Sequence, residues 1–166
     1  VVDGAHGRLG VLWFVVAVVA GLLGHVAVGL LFAGLAAVAA LQTSVAWRKA
    51  GYPDDRVVAG ATALAVGVLA LLGTALAGAA IVVGAAASVV AAVLAPGRDE
   101  PVTARAGRTV RTWLGPAVVA TSVTAVARLD IGAFMILLVL VSGYEVGDYL
   151  VGAGADGLVE GPIAGM

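Results

Sequence analysis

Two long apolar segments dominate the pattern of hydrophobic and polar positions along the chain. Residues 9–47 contain no Asp, Glu, Lys or Arg, and residues 57–95 contain none either. One membrane crossing takes about 20 apolar residues, so each segment is long enough for two crossing helices. Strands are not expected, because neither segment shows the alternation of apolar and polar positions found in a barrel wall.

Glycines and charged residues predict where these helices turn. We expect turns within 21–25 and 73–78, and a third at 128–130 between two shorter helices, 113–127 and 129–144. The shorter pair either extends into its flanks or lies in a thinned bilayer. The sequence therefore predicts an all-α integral membrane protein with six transmembrane helices in hairpin pairs. Residues 161–166 predict the start of a seventh helix, in a single polytopic domain over 1–166 that is incomplete at both ends.

Composition supports the membrane interpretation and excludes several kinds of site. Hydrophobic residues make up 62% and charged residues 11% of the chain, against about 45–50% and about 25% in soluble domains. The mean hydropathy is +1.13. The absence of cysteine excludes disulfides and thiolate metal sites. A net charge of −1 gives no reason to expect a nucleic-acid partner.

The positive charges fall on one side of the predicted hairpins. Of the nine Lys and Arg residues, Arg128 alone falls on the opposite side. The positive-inside rule makes the basic side cytoplasmic, so we expect a multi-pass protein of the inner membrane whose active side faces the cytoplasm. A homodimer is left open.

Small and aromatic residues predict how the helices pack. Rows at a spacing of four, which allow close approach of helices in lipid, are Ala80, Gly84, Ser88 and Ala92, and Ala59, Ala63 and Gly67. The alternative interpretation, to which we give equal weight, is that these rows only reflect a composition rich in Ala and Gly. Trp47 and Trp113 occupy positions typical of the interfacial aromatic belt.

Three arginines precede the fifth predicted helix at a spacing of three: Arg105, Arg108 and Arg111. This spacing predicts that they follow one face of a helix entering the membrane. They are either topological anchors or a strip that binds substrate phosphate, because guanidinium groups suit phosphate oxygens and anionic lipid headgroups.

Acidic residues and glycines alternate near the end of the chain, from Ser142 to Pro162. Glu145 and Asp148 are three residues apart and would face the same way on a helix. Carboxylates grouped in this way suit Mg²⁺, which often bridges protein to substrate phosphates. Glycine lets a polyphosphate approach the backbone. The alternative is an ordinary solvated loop.

This segment resembles the signature region of phosphatidate cytidylyltransferases (CDP-diacylglycerol synthases). In that family a membrane helix ends in Asp-x-Gly-Ala-Tyr-x-x-Gly, and a later loop contains Glu-Gly-x-x-Gly-Gly. Residues 145–152, Glu-Val-Gly-Asp-Tyr-Leu-Val-Gly, are similar to the first element, and residues 159–165 are similar to the end of the second. Glu145 stands where the family has Asp, and the Ser-Pro-Lys-Lys-Thr element of the family is missing.

The resemblance implies an enzyme that makes CDP-diacylglycerol and pyrophosphate from CTP and phosphatidate, with Mg²⁺ as cofactor. It implies that Glu145 and Asp148 are catalytic and bind the metal together with Glu160. Expected substrate-binding residues are Gly147, Tyr149, Gly152, Gly161, Arg105, Arg108 and Arg111. Three alternatives remain open: a CTP-dependent lipid kinase of the polyprenol type, a non-catalytic homologue, and a small membrane carrier.

Overall fold

The computed structural model of the protein describes residues 4–52, 54–95 and 100–152, with side chains described over 10–52, 54–95 and 100–144. All regular secondary structure in these residues is helical, which confirms the predicted fold class at that level. The six helices are α1 Gly4–Leu23, α2 His25–Lys49, α3 Arg56–Ala70, α4 Thr74–Leu94, α5 Val102–Leu129 and α6 Ile131–Gly152. The predicted seventh helix lies outside the described residues.

Very short turns connect the helices within each pair. Gly24 alone separates α1 from α2, at a φ of 101° that favours glycine. Asp130 alone separates α5 from α6, and its Oδ1 accepts a hydrogen bond from the Gly132 backbone N–H at 2.7 Å. Residues 71–73 separate α3 from α4. The turns at Gly24 and Asp130 fall where the sequence predicts them, whereas the turn at 71–73 overlaps the predicted 73–78 only at Gly73. We call this end of the bundle the turn end, and the opposite end, where α3 and α5 begin, the basic end.

The helices differ in length more than the sequence predicts. Three of them, α2, α4 and α5, are long and apolar enough to cross a membrane, whereas α1, α3 and α6 contain shorter apolar stretches. The turn at 71–73 comes earlier than the predicted 73–78 and leaves α3 only 15 residues, or about 22 Å. Helices α5 and α6 are longer than the predicted 113–127 and 129–144, because α5 begins at Val102 and α6 ends at Gly152. Length and composition therefore support three crossings and do not establish six.

Small residues form most of the interior. Helices α2 to α5 share a core of buried alanines around Val66 and Trp113, and α1 and α6 pack on α2 and α5 through Phe134 and Leu138. The small-residue rows on α3 and α4 lie in these contacts: Gly84 lies beside Thr62, and Gly67 lies against Ala33. Their predicted packing role is therefore confirmed.

Large aliphatic side chains cover the outside. On α4, Val82 is 70% exposed, Val83 67% and Leu94 74%. A surface of this kind around a core of alanine and glycine is typical of helices that pack in lipid. The apolar helices and this surface indicate a membrane protein.

Candidate functional site at the basic end

The connection between α2 and α3 is fixed to α5 by hydrogen bonds. Asp55 caps α3, its Oδ1 accepting from the Val58 N–H at 2.9 Å. The Asp55 N–H in turn donates to Oγ1 of Thr109 at 3.1 Å, and that hydroxyl donates to the Arg105 carbonyl at 3.2 Å. The start of α3 and the first turns of α5 are therefore held together.

Asp54 is a buried residue of the connection between α2 and α3. Its side chain is 5% exposed, and its Oδ1 accepts a hydrogen bond from the Ser44 hydroxyl at 2.5 Å. Its second oxygen, Oδ2, is buried and has no hydrogen-bond partner among the described residues. A buried carboxylate with one unsatisfied oxygen is costly unless another group approaches it.

Arg105 extends from α5 into the same region. It is 7% exposed, and its Nη1 donates to the Ala95 carbonyl at the end of α4, at 3.1 Å. Its Nε is buried and has no hydrogen-bond partner within 4–52, 54–95 and 100–152. Arg105 thus satisfies a carbonyl left open at the end of a helix while keeping an unused N–H.

These side chains line a cleft of about 290 Å³ among α2, α3, α4 and α5. We call it the Arg–Asp cleft. Its charged lining residues are Arg48, Asp54, Asp55, Arg56 and Arg105, and its apolar wall comes largely from the end of α4. With three arginines and two aspartates, the lining has one surplus positive charge.

A second cleft, of about 400 Å³, lies between the α2–α3 connection and α5. We call it the aromatic cleft, since Trp47 and Tyr52 line it together with Arg108 and Arg111. The Arg108 guanidinium lies 5.4 Å from the centre of the Tyr52 ring. It also forms a two-pronged ion pair with Glu100, in which Nη1 donates to Oε2 at 3.2 Å and Nη2 contacts Oε1. Arg111 is exposed.

The three predicted arginines are helical, but they do not form one strip. Arg105 belongs to the Arg–Asp cleft, whereas Arg108 and Arg111 line the aromatic cleft. The cause is geometric: three residues fall about 60° short of a full turn in a helix with about 3.6 residues per turn. Over two such steps the side-chain direction rotates far enough to enter a different interhelical space.

The predicted acidic residues lie on α6, which runs from the turn end to the basic end. Phe134 and Met135, near its start, lie beside Gly21 at the turn end of α1, and the helix continues to Gly152. Glu145 and Asp148 are therefore on one continuous helix, about one turn apart. Gly147, Tyr149 and Gly152 lie on the same part of α6, where only the backbone is described. Glu160 and Gly161 lie outside the described residues.

The carboxylates of the Arg–Asp cleft and the carboxylates on α6 differ in how well they suit Mg²⁺ as ligands. No cluster of three or more His, Asp or Glu side chains that could hold a metal ion occurs within the described part of the chain. The Arg–Asp cleft is unsuited to a cation, because three guanidinium groups surround its two carboxylates. The Glu145 and Asp148 pair has the right chemistry, and its spacing suits two ligands from one helix.

Two features of this region were not predicted from the sequence. Asp54 was missed, although the Asp54-Asp55 pair directly before an apolar run is a helix-start signal. Trp113 is not an interfacial belt residue: it is fully buried, and its Nε1 donates to the Ser88 hydroxyl at 3.1 Å. Trp47, the other residue predicted for the interfacial belt, is partly exposed and lines the aromatic cleft.

Comparisons with protein-family models, with curated proteins and with solved structures give no match for this chain. The resemblance to phosphatidate cytidylyltransferases therefore rests on the motif residues 145–152 and 159–165.

Proposed function

We propose that the protein is a Mg²⁺-dependent membrane enzyme that transfers a cytidylyl group from CTP to the phosphate of phosphatidate. The observation that supports this proposal most is the course of α6. It carries the motif Glu145–Gly152 toward the end of the bundle where Arg105, Arg108 and Arg111 lie. An enzyme that joins two phosphate-bearing substrates needs anion-binding and metal-binding groups at one place.

The reaction requires little covalent participation by the protein. A phosphate oxygen of phosphatidate forms a bond to the α-phosphorus of CTP, and the bond from that phosphorus to the β-phosphate bridging oxygen breaks. The electron pair leaves with pyrophosphate. Bound Mg²⁺ would neutralise charge on the polyphosphate, with Glu145 and Asp148 as ligands and Glu160 as the third. Arg111 is suited to orient a phosphate, since it is exposed and lines the aromatic cleft.

The proposal includes a topology. Six helices would cross the inner membrane, and the bilayer would be thinned around α1, α3 and α6, whose apolar stretches are shorter. The basic end would face the cytoplasm, in accordance with the positive-inside rule. CTP would then reach the motif from the cytosol, and the lipid would arrive laterally from the membrane.

One observation favours a non-catalytic protein as a second candidate. Two of the three predicted substrate-binding arginines already have partners within the protein, Arg108 in its ion pair with Glu100 and Arg105 at the Ala95 carbonyl. In a protein without activity these contacts would be the whole role of those side chains, and the acids on α6 would form a solvated surface.

CTP incorporation by the full-length protein tests the proposal. With Mg²⁺ and phosphatidate we expect a CDP-lipid product, and we expect Glu145→Gln or Asp148→Asn to lower turnover by about 100-fold, because metal charge stabilisation contributes several kcal/mol. Asp130→Asn is the matched control. It makes the same acid-to-amide change at the other end of α6, and Asn caps a helix as well as Asp does.

The outcomes separate the two candidates. Turnover near wild type in Glu145→Gln, Asp148→Asn and Glu160→Gln would contradict the proposed metal site. An absence of product from the wild-type protein with phosphatidate, and with polyprenol as a second acceptor, would favour the non-catalytic protein.

A further inference from the structure

The Arg–Asp cleft contains two buried side chains of opposite charge that do not pair with each other. Arg105 and Asp54 are 7% and 5% exposed, yet the described residues contain no ion pair between them. Each uses one group within the protein. Another group, Nε of Arg105 or Oδ2 of Asp54, has no partner in the part of the chain that the structure describes. Buried polar atoms are normally satisfied, so the cleft is built to receive a further group.

The two unused atoms define the chemistry of that group. Nε of Arg105 donates a hydrogen bond, and Oδ2 of Asp54 accepts one. A bare cation would be repelled by Arg48, Arg56 and Arg105, and an anion without a donor would leave Oδ2 of Asp54 facing negative charge. A ligand with an anionic oxygen and a neighbouring hydroxyl satisfies both atoms.

The size and position of the cleft favour a headgroup-sized ligand over a single water. Its volume is about 290 Å³, whereas a water occupies about 30 Å³ of liquid. Arg48 and Arg56 are exposed and add positive charge to the lining. One side of the cleft is an apolar wall formed by Ala91, Ala92 and Ala95. On other faces of the same helix, Val93 and Leu94 are 61% and 74% exposed, as expected for a helix end that contacts lipid.

We propose that the Arg–Asp cleft binds a phosphate ester that carries a hydroxyl group. The phosphate oxygens accept hydrogen bonds from Arg105, Arg48 and Arg56, and the hydroxyl donates to Oδ2 of Asp54. This chemistry is shared by the headgroup of phosphatidylglycerol and by soluble glycerol 3-phosphate. The proposal shares Arg105 with the proposed enzymatic function, but it uses no residue of α6 and is tested by lipid binding without CTP or turnover.

Two lipids that differ only in their headgroup alcohol provide the test. Phosphatidylglycerol and phosphatidylmethanol are both singly charged diesters, but only the first has headgroup hydroxyls. Binding to the full-length protein is measured by native mass spectrometry from micelles doped with each lipid. We expect the wild-type protein to bind phosphatidylglycerol about tenfold more tightly, as for one hydrogen bond to a charged group.

Variants of cleft residues test whether the preference for phosphatidylglycerol over phosphatidylmethanol arises in the Arg–Asp cleft. Asp54→Asn should abolish the difference between the two lipids, because it removes the charged acceptor. Arg105→Gln should weaken the binding of both lipids by about tenfold, and Arg105→Lys, which lacks the guanidinium, serves if the Gln variant does not fold. Arg128→Gln is the matched control, since Arg128 also donates from Nη1 to a backbone carbonyl, that of Ala70 at 3.2 Å, but at the turn end.

Competition identifies the source of the ligand. Displacement of phosphatidylglycerol by millimolar glycerol 3-phosphate would indicate a soluble ester, and its failure to displace would indicate the lipid. Equal affinity of the wild-type protein for the two lipids would overturn the proposal. So would a preference that survives in Asp54→Asn, because the discrimination would then arise outside the cleft.

Discussion

Trp113 is the largest fully buried side chain in the described part of the protein, and its position depends on one hydroxyl. Its indole N–H donates to Ser88, whose hydroxyl donates to the Gly84 carbonyl at 2.8 Å. Water is excluded from this part of the core, so the indole N–H needs a protein partner. Ser88 therefore serves both as a small residue in a helix contact and as a hydrogen-bond acceptor.

Replacing Ser88 by alanine should destabilise the protein without creating a large cavity. The buried indole N–H would lose its partner, at a cost of about 1–3 kcal/mol in the free energy of unfolding. The measurement is unfolding of the purified protein in mixed micelles, followed by circular dichroism. Thr43→Ala is the control, because the Thr43 hydroxyl is exposed and bonds only the Ala39 carbonyl of its own helix. Equal stability of the two variants would show that the indole bond contributes little.

Residue types could be predicted from the sequence better than residue environments. Trp47 and Trp113 have the same local signal, an aromatic residue near charged residues at the end of an apolar run. One borders a cleft and the other is fully buried. The direction of each side chain depends on helix phase and on which neighbours occupy that side, and neither is fixed by local sequence. The separation of Arg105 from Arg108 and Arg111 has the same origin.

At the scale of helices, glycine decides how closely α2 and α3 approach. A Cβ added at Gly67 would lie 2.7 Å from Cβ and 2.8 Å from Cα of Ala33. The second of these atoms belongs to the backbone, so rotation of a side chain cannot relieve the contact. The two helices would have to separate.

We therefore expect Gly67→Ala to destabilise the protein by about 1–3 kcal/mol, as for an overpacked core. Gly78→Ala is the matched control on α4, because a Cβ there would meet no atom within 4 Å. Alanine has the higher helix propensity, so Gly78→Ala should be neutral or stabilising by up to about 1 kcal/mol. Unfolding midpoints measured under identical micelle conditions compare the two variants. A stabilising Gly67→Ala would contradict the close approach of α2 and α3.

Within the described residues, the presence and order of the six predicted helices followed from the sequence, whereas their lengths did not. Charge-free segments and turn glycines are local signals, and Gly24, Gly73 and Asp130 all lie where those signals predict a turn. The 15-residue α3 is shorter than a membrane crossing needs, because the turn at 71–73 comes before most of the predicted 73–78. Helix α5 begins well before its apolar part, since its first turns are held by contacts with Asp55 and Ala95.

For the whole molecule, the hairpin arrangement predicts which residues share a side of the membrane. Single cysteines at Lys49 and Arg56, near the basic end, should be labelled by an impermeant maleimide from one side of sealed vesicles. A cysteine at His25, which is exposed at the start of α2, should be labelled only from the other side. The 166 residues contain no cysteine, so each variant reports one position. Labelling of Lys49→Cys and His25→Cys from the same side would contradict a membrane-crossing α2.

The assembly of the basic end could not be predicted from the sequence in the same way. Ser44, Asp54, Ala95 and Arg105 come from four parts of the chain and meet only when α2, α4 and α5 converge. The spacing of three before the fifth helix identified Arg105 as a candidate, but its acidic neighbour in the cleft is about fifty residues away in sequence. Long-range contacts of this kind follow from helix packing and leave no periodic signal.

The brevity of the turns determines what a large macromolecule can recognise at that end. Gly24 and Asp130 are each a complete connection, and residues 71–73 form the third. Antibodies and proteases generally engage exposed, flexible loop tips, and here helix follows helix with almost no chain between them. Epitopes and protease cleavage sites among the described residues should therefore concentrate at the basic end. An affinity tag inserted at Gly24 or Asp130 would have to separate a helix pair before it became accessible.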